Sequence, residues 1–427
     1  MRNALCLVLV FTLSLAVACQ SDDNDKASAN NNYQNDSDST TPPSPYGTDS
    51  QRPPGRDGID TNSLPPIPKG DDTTPVAPDT GMADTSALDT QVVDTNAPGA
   101  DTSTDTESDS HPINDDGETA DNCQLNNAVP GYASVAGGTT GGGFDFGAAV
   151  TVRTSSELAS AVSGSEPRII FVEPGNYDAF SPGSNKTIIG LRPGVNVAAP
   201  LKISRVENVI IRNLAVKGAY CATYEECREG DDGVYIGHGA HHIWLDHLDI
   251  SDGQDGNCDI SRGGDFISIS WTKFWYSTQD KEHQFSNLIA GSDNEPESVG
   301  KLQITYMNCW WGQHVETRQP RGRFGNVHML NNLHNSAASR TVHGVGFDMA
   351  LIAENCVYNT SDKAIFTDMG SPRGWLGTGN IGTAGGLNAS FGTVFDIPYA
   401  YTAMPAAEVE AAVTAAIGGA GNTCAFQ

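Results

Sequence analysis

The chain has 427 residues, with 52 Asp and Glu against 24 Lys and Arg and a formal net charge of −28. So acidic a balance argues against nucleic acid as a partner, while the length alone allows two or three domains. The acid is unevenly spread, since residues 20–121 hold 22 Asp and Glu and only four Lys and Arg.

At the N-terminus, Arg2 precedes the apolar run LCLVLVFTLSLAVA, of secretory length and too short for a stable membrane span. The run ends LAVAC. This resembles a bacterial lipoprotein signal, residues 1–19, in which Cys19 carries the lipid and Gln20 points to the outer membrane; the alternative is an ordinary signal peptide cut near Ala18. Both imply export. Residues 20–121 are rich in Asp, Thr, Ser, Asn and Pro, with apolar residues too scattered to offset chain entropy, and are expected to form a disordered linker. A flexible chain of ~100 residues spans roughly 50–60 Å, so it would let an anchored domain reach outward. Residues 122–427 remain as one folded domain. After Cys6 and Cys19, seven cysteines are left, so at least one is unpaired within the chain. Cys221 with Cys227, across a short loop, and Cys123 with Cys424, across the whole domain, are candidate pairs for an oxidising compartment.

Within the domain, amphipathic helices are expected only at 155–164 (SSELASAVSG) and 405–419 (PAAEVEAAVTAAIGG). Between them runs a degenerate repeat. The octets VIIRNLAV from Val209, IWLDHLDI from Ile243, ISISWTKF from Ile267, ITYMNCWW from Ile304, VHMLNNLH from Val327 and LIAENCVY from Leu351 start 34, 24, 37, 23 and 24 residues apart. Apolar residues at positions one and three mark a strand with one buried face. The fifth column reads Asn213, His247, Trp271, Asn308, Asn331, Asn355. A base period of 23–24 with two long insertions predicts a solenoid of stacked coils, a right-handed parallel β-helix in the all-β class. A sandwich would instead show tight hairpin signals every 8–12 residues. With coils about 4.8 Å apart, Cys309 and Cys356, two coils distant in the sixth column, are out of disulfide reach and are expected to be free and buried.

Eight collinear pieces then carry a resemblance. They are GYASVAGGTTGG (131–142), NKTIIG (185–190), NVIIRNL (208–214), DDGVYI (231–236), IWLDHLDI (243–250), DGNCDI (255–260), FISISWTKF (266–274) and RQPRGRFGNVHMLNN (318–332). Together they resemble polysaccharide lyase family 1, the pectate lyases, whose fold is the parallel β-helix. The resemblance implies Ca²⁺ held by Asp232, Asp255 and Asp259, with Asp231 standing one residue off a second acidic position of the family. Such carboxylates facing one cleft suit a hard cation that takes six to eight oxygen ligands. The resemblance also implies Arg318 as the base, Arg323 as a substrate-holding residue and, allowing two extra residues after Tyr276, Lys281 as a second one. Arg321 falls at a variable family position and is read as part of a surface loop.

The implied reaction is β-elimination on polygalacturonate, giving 4,5-unsaturated products. Arginines in an acidic protein would hold the polymer's carboxylates bidentately. An arginine base implies an alkaline optimum, because a guanidinium gives up its proton only at high pH. Met307 and Asn308 replace two His of the family's V-T-Y-H-H-N-Y-F strand. WLDH (244–247) falls in the repeat register and is read as structural, and HGAHH (238–242) as a loop between coils rather than a zinc site. The competing readings are a pectin lyase acting on methyl-esterified polymer, against which Asp255 and Asp259 speak, and a non-catalytic glycan-binding β-helix. No oligomer signal is visible, so a monomer is expected.

Overall fold

The computed structural model describes residues 123–125, 128–219, 221–278, 283–360, 364–383 and 385–426. The signal and linker stretches expected at 1–19 and 20–121 lie outside them, as does Lys281.

Three sheets of eleven, nine and seven strands enclose one apolar core. Among the described residues, every strand pair is parallel except one, where Ser390–Gly392 runs antiparallel to Gly374–Thr378 at the end of the stack. Successive strands of one sheet belong to successive coils, which is the topology of a parallel β-helix. The octet alignment is the register itself. Val209, Ile243, Ile267, Ile304, Val327 and Leu351 stand on a single ladder of the eleven-stranded sheet. Positions one and three point inward, and Ile211, Leu245, Ile269, Tyr306, Met329 and Ala353 are all buried in the core.

The fifth column explains its own composition. All six of its residues have φ between +45° and +59°, the left-handed corner by which the chain leaves the eleven-stranded sheet for the nine-stranded one. Asn adopts this conformation more readily than other non-glycine residues, since its short amide can bond nearby backbone. Asn331 Nδ2 donates to the Met404 carbonyl at 2.7 Å, and Asn213 Nδ2 to the carbonyls of Gly190 and Cys424 at 2.7 and 2.8 Å.

Inside the nine-stranded sheet an aromatic column stacks coil on coil. Phe274 lies 5.0 Å from Trp311, Trp311 4.7 Å from His334, and His334 4.8 Å from Tyr358, all near-parallel. Cys258, Cys309 and Cys356 are free and buried, while Cys123–Cys424 and Cys221–Cys227 are disulfides.

The first expected helix forms over Ser155–Val162, with Thr154 and Glu157 completing a capping box. The second is shorter than expected, Ala406–Val413, ending at the C-cap Thr414, with the exposed Ile417 and the left-handed Gly418 in the turns beyond. An unforeseen five-residue helix, Tyr224–Arg228, starts within the Cys221–Cys227 loop and carries Cys227. From Met404 the chain runs back along the corner column. Met404 bonds Asn331, and its carbonyl accepts from Asn355 at 2.9 Å. Val409 and Val413 pack on Leu333 and Val357. Gly421 N–H then donates to the Trp271 carbonyl, and Cys424 N–H to Asn213 Oδ1. This C-terminal strap thus crosses the coils in reverse order.

Candidate functional site

The two long coils insert their extra residues next to the seven-stranded sheet, and the candidate site is built there. Asp232 precedes the strand Val234–Gly237, and Asp255 and Asp259 flank the start of the next strand, Cys258–Ile260. Val234 pairs with Cys258, so stacking brings the carboxylates together. One oxygen from each of Asp232, Asp255 and Asp259 lies within 4.8 Å of the others. Asp231 is exposed and outside this group, although its charge reaches Asp232.

Ordinary protein contacts do not satisfy the cluster. Asp259 Oδ1 accepts the Leu288 N–H at 2.9 Å, but Asp232 Oδ1 is buried with no hydrogen-bond partner among the described residues. Burial first, and then the Asp259 and Asp255 charges, push the Asp232 carboxyl far above its usual range, against the pull of Arg318. Burial likewise raises Asp259, with Arg318 and the Leu288 N–H opposing it. Two unit charges at this spacing repel by roughly 3 kcal/mol at an effective dielectric of about 20. Space has been left for the cluster at Gly256, where a Cβ would lie 2.6 Å from Asp259 Oδ1 and 3.3 Å from Asp232 Oδ1. An orphaned buried oxygen among converging hard oxygen donors fits a cation of the calcium type.

Arg318 lies two coils on from Asp259, and its charge reaches both Asp232 and Asp259. Its φ is +59°, left-handed in a long non-glycine residue and costing on the order of 1–3 kcal/mol. The neighbours hold it there: Asn287 N–H donates to its carbonyl at 2.7 Å, and Gln319 is pinned by Ser339 and His334. The guanidinium lies 4.7 Å over the Phe285 ring. Phe285 is 4.3 Å from His283, and His283 is 4.9 Å from Tyr224. His283 Nε2 in turn approaches Asp255 Oδ1 at 3.3 Å. An aromatic row therefore ties the arginine to the acid cluster and to the disulfide-closed loop. Sequence reasoning missed this row, because the rings and the arginine come from three segments with no common spacing.

Arg323 is engaged within the chain, with Nε 2.6 Å from Asp293 and a second nitrogen donating to the Ala290 carbonyl. Arg321 is not a loop residue. It opens the strand Arg321–Gly322, paired with Leu288 on one side and Gly344 on the other. Turn chemistry around Pro320 hid this two-residue strand in the sequence.

From the acids a groove of about 730 Å³ runs past Tyr235, Leu288 and Ser261 toward Arg262, Glu295 and Lys202. WLDH sits elsewhere, on the far face of the eleven-stranded sheet. Asp246 is buried there between Arg212 Nε (2.9 Å), His247 Nδ1 (2.8 Å) and Ser270 Oγ (2.6 Å). His241 and His242 begin a strand, and their ring nitrogens contact each other, Glu207 and the backbone of Val135 and Ala136.

Known folds and sequences agree with this picture. A thermostable pectate lyase superposes with a TM-score of 0.58 at 21% identity, covering 70% of this chain and 99% of the other. A pectate lyase bound to a hexasaccharide gives 0.57 at 19% identity, covering 70% and 98%. Pectate lyase A of Emericella nidulans is 32% identical over 310 residues, 69% of this chain and 87% of that one. Pectate lyase A of Aspergillus niger is 33% identical over 318 residues, 71% and 90%. The parallel β-helix with this charged face is that of a polysaccharide lyase. The family model described as pectate lyase matches residues 120–421, and the chain belongs to that family.

Proposed function

We propose that the chain is a calcium-dependent pectate lyase that cleaves α-1,4-linked galacturonan by β-elimination. The observation that carries this reading is the orphaned Asp232 Oδ1 among Asp255 and Asp259, within electrostatic reach of Arg318. Asp232, Asp255 and Asp259 would hold Ca²⁺, with Asp231 adding charge from outside the cluster. The bound ion would supply Lewis acidity, drawing charge from a uronate carboxylate and acidifying its C5–H.

The protein's own part is orientation and proton transfer. Arg318, fixed by its left-handed backbone and the Phe285 ring, takes the C5 proton. The C5–H electron pair becomes the C4=C5 double bond, the C4–O bond breaks, and the departing chain takes a proton from solvent. Arg323 exchanges Asp293 for a substrate carboxylate, and Lys281 supplies a further cation. No water attacks, so no hydrolase-type carboxylate pair is needed. The acid cluster favours unesterified over methyl-esterified polymer. Export through the N-terminal segment, with Cys19 as a lipid anchor and a monomeric domain held out by the linker, completes the proposal.

The test is ultraviolet absorbance of unsaturated product from polygalacturonate at alkaline pH, with Ca²⁺ and then with chelator. Absorbance that rises with Ca²⁺, vanishes with chelator and is lost in Arg318→Ala is expected. A folded sample inactive under every calcium, pH and esterification condition would leave only the glycan-binding reading.

A further inference from the structure

Arg321 is the odd cation of the site. It stands on the outward ladder of the seven-stranded sheet that runs Tyr235, Asp259, Leu288, Arg321, Gly344. It therefore shares a face with Asp259, two coils further along. Arg323 has Asp293, and Arg318 lies over Phe285. The Arg321 side chain makes no hydrogen bond or ion pair among the described residues, although it is partly buried. Burial first, then the Arg323 and Arg318 charges, disfavour its charged form, and only Asp293 helps it. An uncompensated, partly desolvated cation costs free energy until an anion arrives.

The floor beside it is shaped for that cation. Gly344 has no side chain, and a Cβ there would lie 2.8 Å from Arg321 Cγ and 2.6 Å from Met369 Sδ. The arginine stem lies across this bare position, which keeps the guanidinium low on the sheet.

We infer that Arg321 and the Gly344 floor form a subsite for a second substrate carboxylate, so that binding selects runs of unesterified uronate. The inference rests on the reading of the face as a galacturonan site. Coils stack about 4.8 Å apart, so the Arg321 backbone lies roughly 10 Å from that of Asp259, a spacing that suits a carboxylate on a neighbouring unit. A planar guanidinium with a free edge suits bidentate capture of a carboxylate and gains nothing from a methyl ester. Discrimination then comes from the charge lost on esterification at that unit.

The experiment is calorimetric binding of trigalacturonate and of its methyl ester, with Ca²⁺ present, to the full chain and to Arg321→Gln, Arg321→Lys and Gly344→Ala, each checked for an unchanged melting curve. Arg321→Gln is expected to weaken trigalacturonate binding tenfold or more and methyl-ester binding less than twofold. Arg321→Lys should fall between. If Gly344→Ala alone melts early, the two Arg321 variants decide. Equal loss for acid and ester, or no loss for either, overturns the inference. A wild type that binds the acid tightly yet releases no unsaturated product refutes the lyase reading and leaves this one standing. A wild type that binds neither ligand overturns both.

Discussion

The Arg318 guanidinium lies 4.7 Å from the centre of the Phe285 ring, and a parallel bridge between Phe285 and Thr317 holds the two in register. A cation over an aromatic face gains about 0.5–2 kcal/mol, more as water is excluded. Phe285→Leu keeps the bulk and removes the π face. The expected result is a several-fold fall in kcat on polygalacturonate at saturating Ca²⁺, with calcium affinity unchanged. Unaltered kcat would mean that the ring does not orient Arg318.

The three crowded carboxylates make a prediction about stability without metal. Asp232→Asn removes one charge of the cluster and keeps its size. In chelator the variant should melt at or above the wild-type temperature, because the repulsion and the buried charge are both relieved. Added Ca²⁺ should raise the wild-type midpoint, since a ligand that binds only the folded state stabilises it, and should do much less for the variant. A variant that melts early in chelator would show that Asp232 is a structural anchor.

Acid sensitivity is built into the core beside the aromatic column, where the His343 ring meets His334 and Tyr358 edge-on. Burial holds the His343 imidazole down, from an ordinary 6.5 to about 3, and lowers its neighbour His334 as well. The unfolded chain therefore takes up a proton as pH drops below about 6.5, while the folded His343 stays neutral until about pH 3. Stability contributed by the neutral ring is present above pH 6.5 and is lost on acidification through that window. His343 Nε2 shares a hydrogen bond with the Tyr358 hydroxyl at 2.9 Å, which the amide of His343→Gln can replace. Urea midpoints at pH 7 and pH 5 should differ less in His343→Gln than in the wild type. Equal differences would assign the acid sensitivity to other groups.

The Cys123–Cys424 bridge joins residues 301 apart in sequence. Loop-closure reasoning gives on the order of 4–5 kcal/mol for a closed loop of ~100 residues or more, although native strain commonly reduces it. Cys424→Ser should lower the melting midpoint by several degrees in non-reducing buffer. It should also make the wild type's response to reductant disappear at that site. A variant as stable as the wild type would assign the strap's hold to Asn213 and the packed helix alone.

Much of this was legible in the sequence, and the reasons are local. Val209 to Leu351 could be aligned by eye because each inward strand repeats its apolar pattern, at a base spacing of 23–24 residues broken by two long insertions, and the observed ladder has the same register. The Asn-rich fifth column was visible in the sequence, but that Asn213, Asn308, Asn331 and Asn355 turn left-handed corners came only from the structure. The seven-stranded sheet left no such trace. Its strands Leu288–Ile289 and Arg321–Gly322 are two residues long and separated by insertions, so Arg321 read as loop. Asp232, Asp255 and Asp259 were found by motif, and stacking brings them together. Phe285 and His283 were invisible, since only the bridge to Thr317 and the ring contacts give them a place.

The returning strap changes what kind of object the solenoid is. A stack of coils that touch only their neighbours behaves as a one-dimensional chain, free to fray from either end and to lose rungs singly. Here Met404 is bound to the corners at Asn331 and Asn355, and the same segment is covalently closed on Cys123 beside Asn213. Early and late coils are thereby made to share one fate, and opening either end must lift a piece that spans both. The described coils are therefore expected to melt together rather than rung by rung.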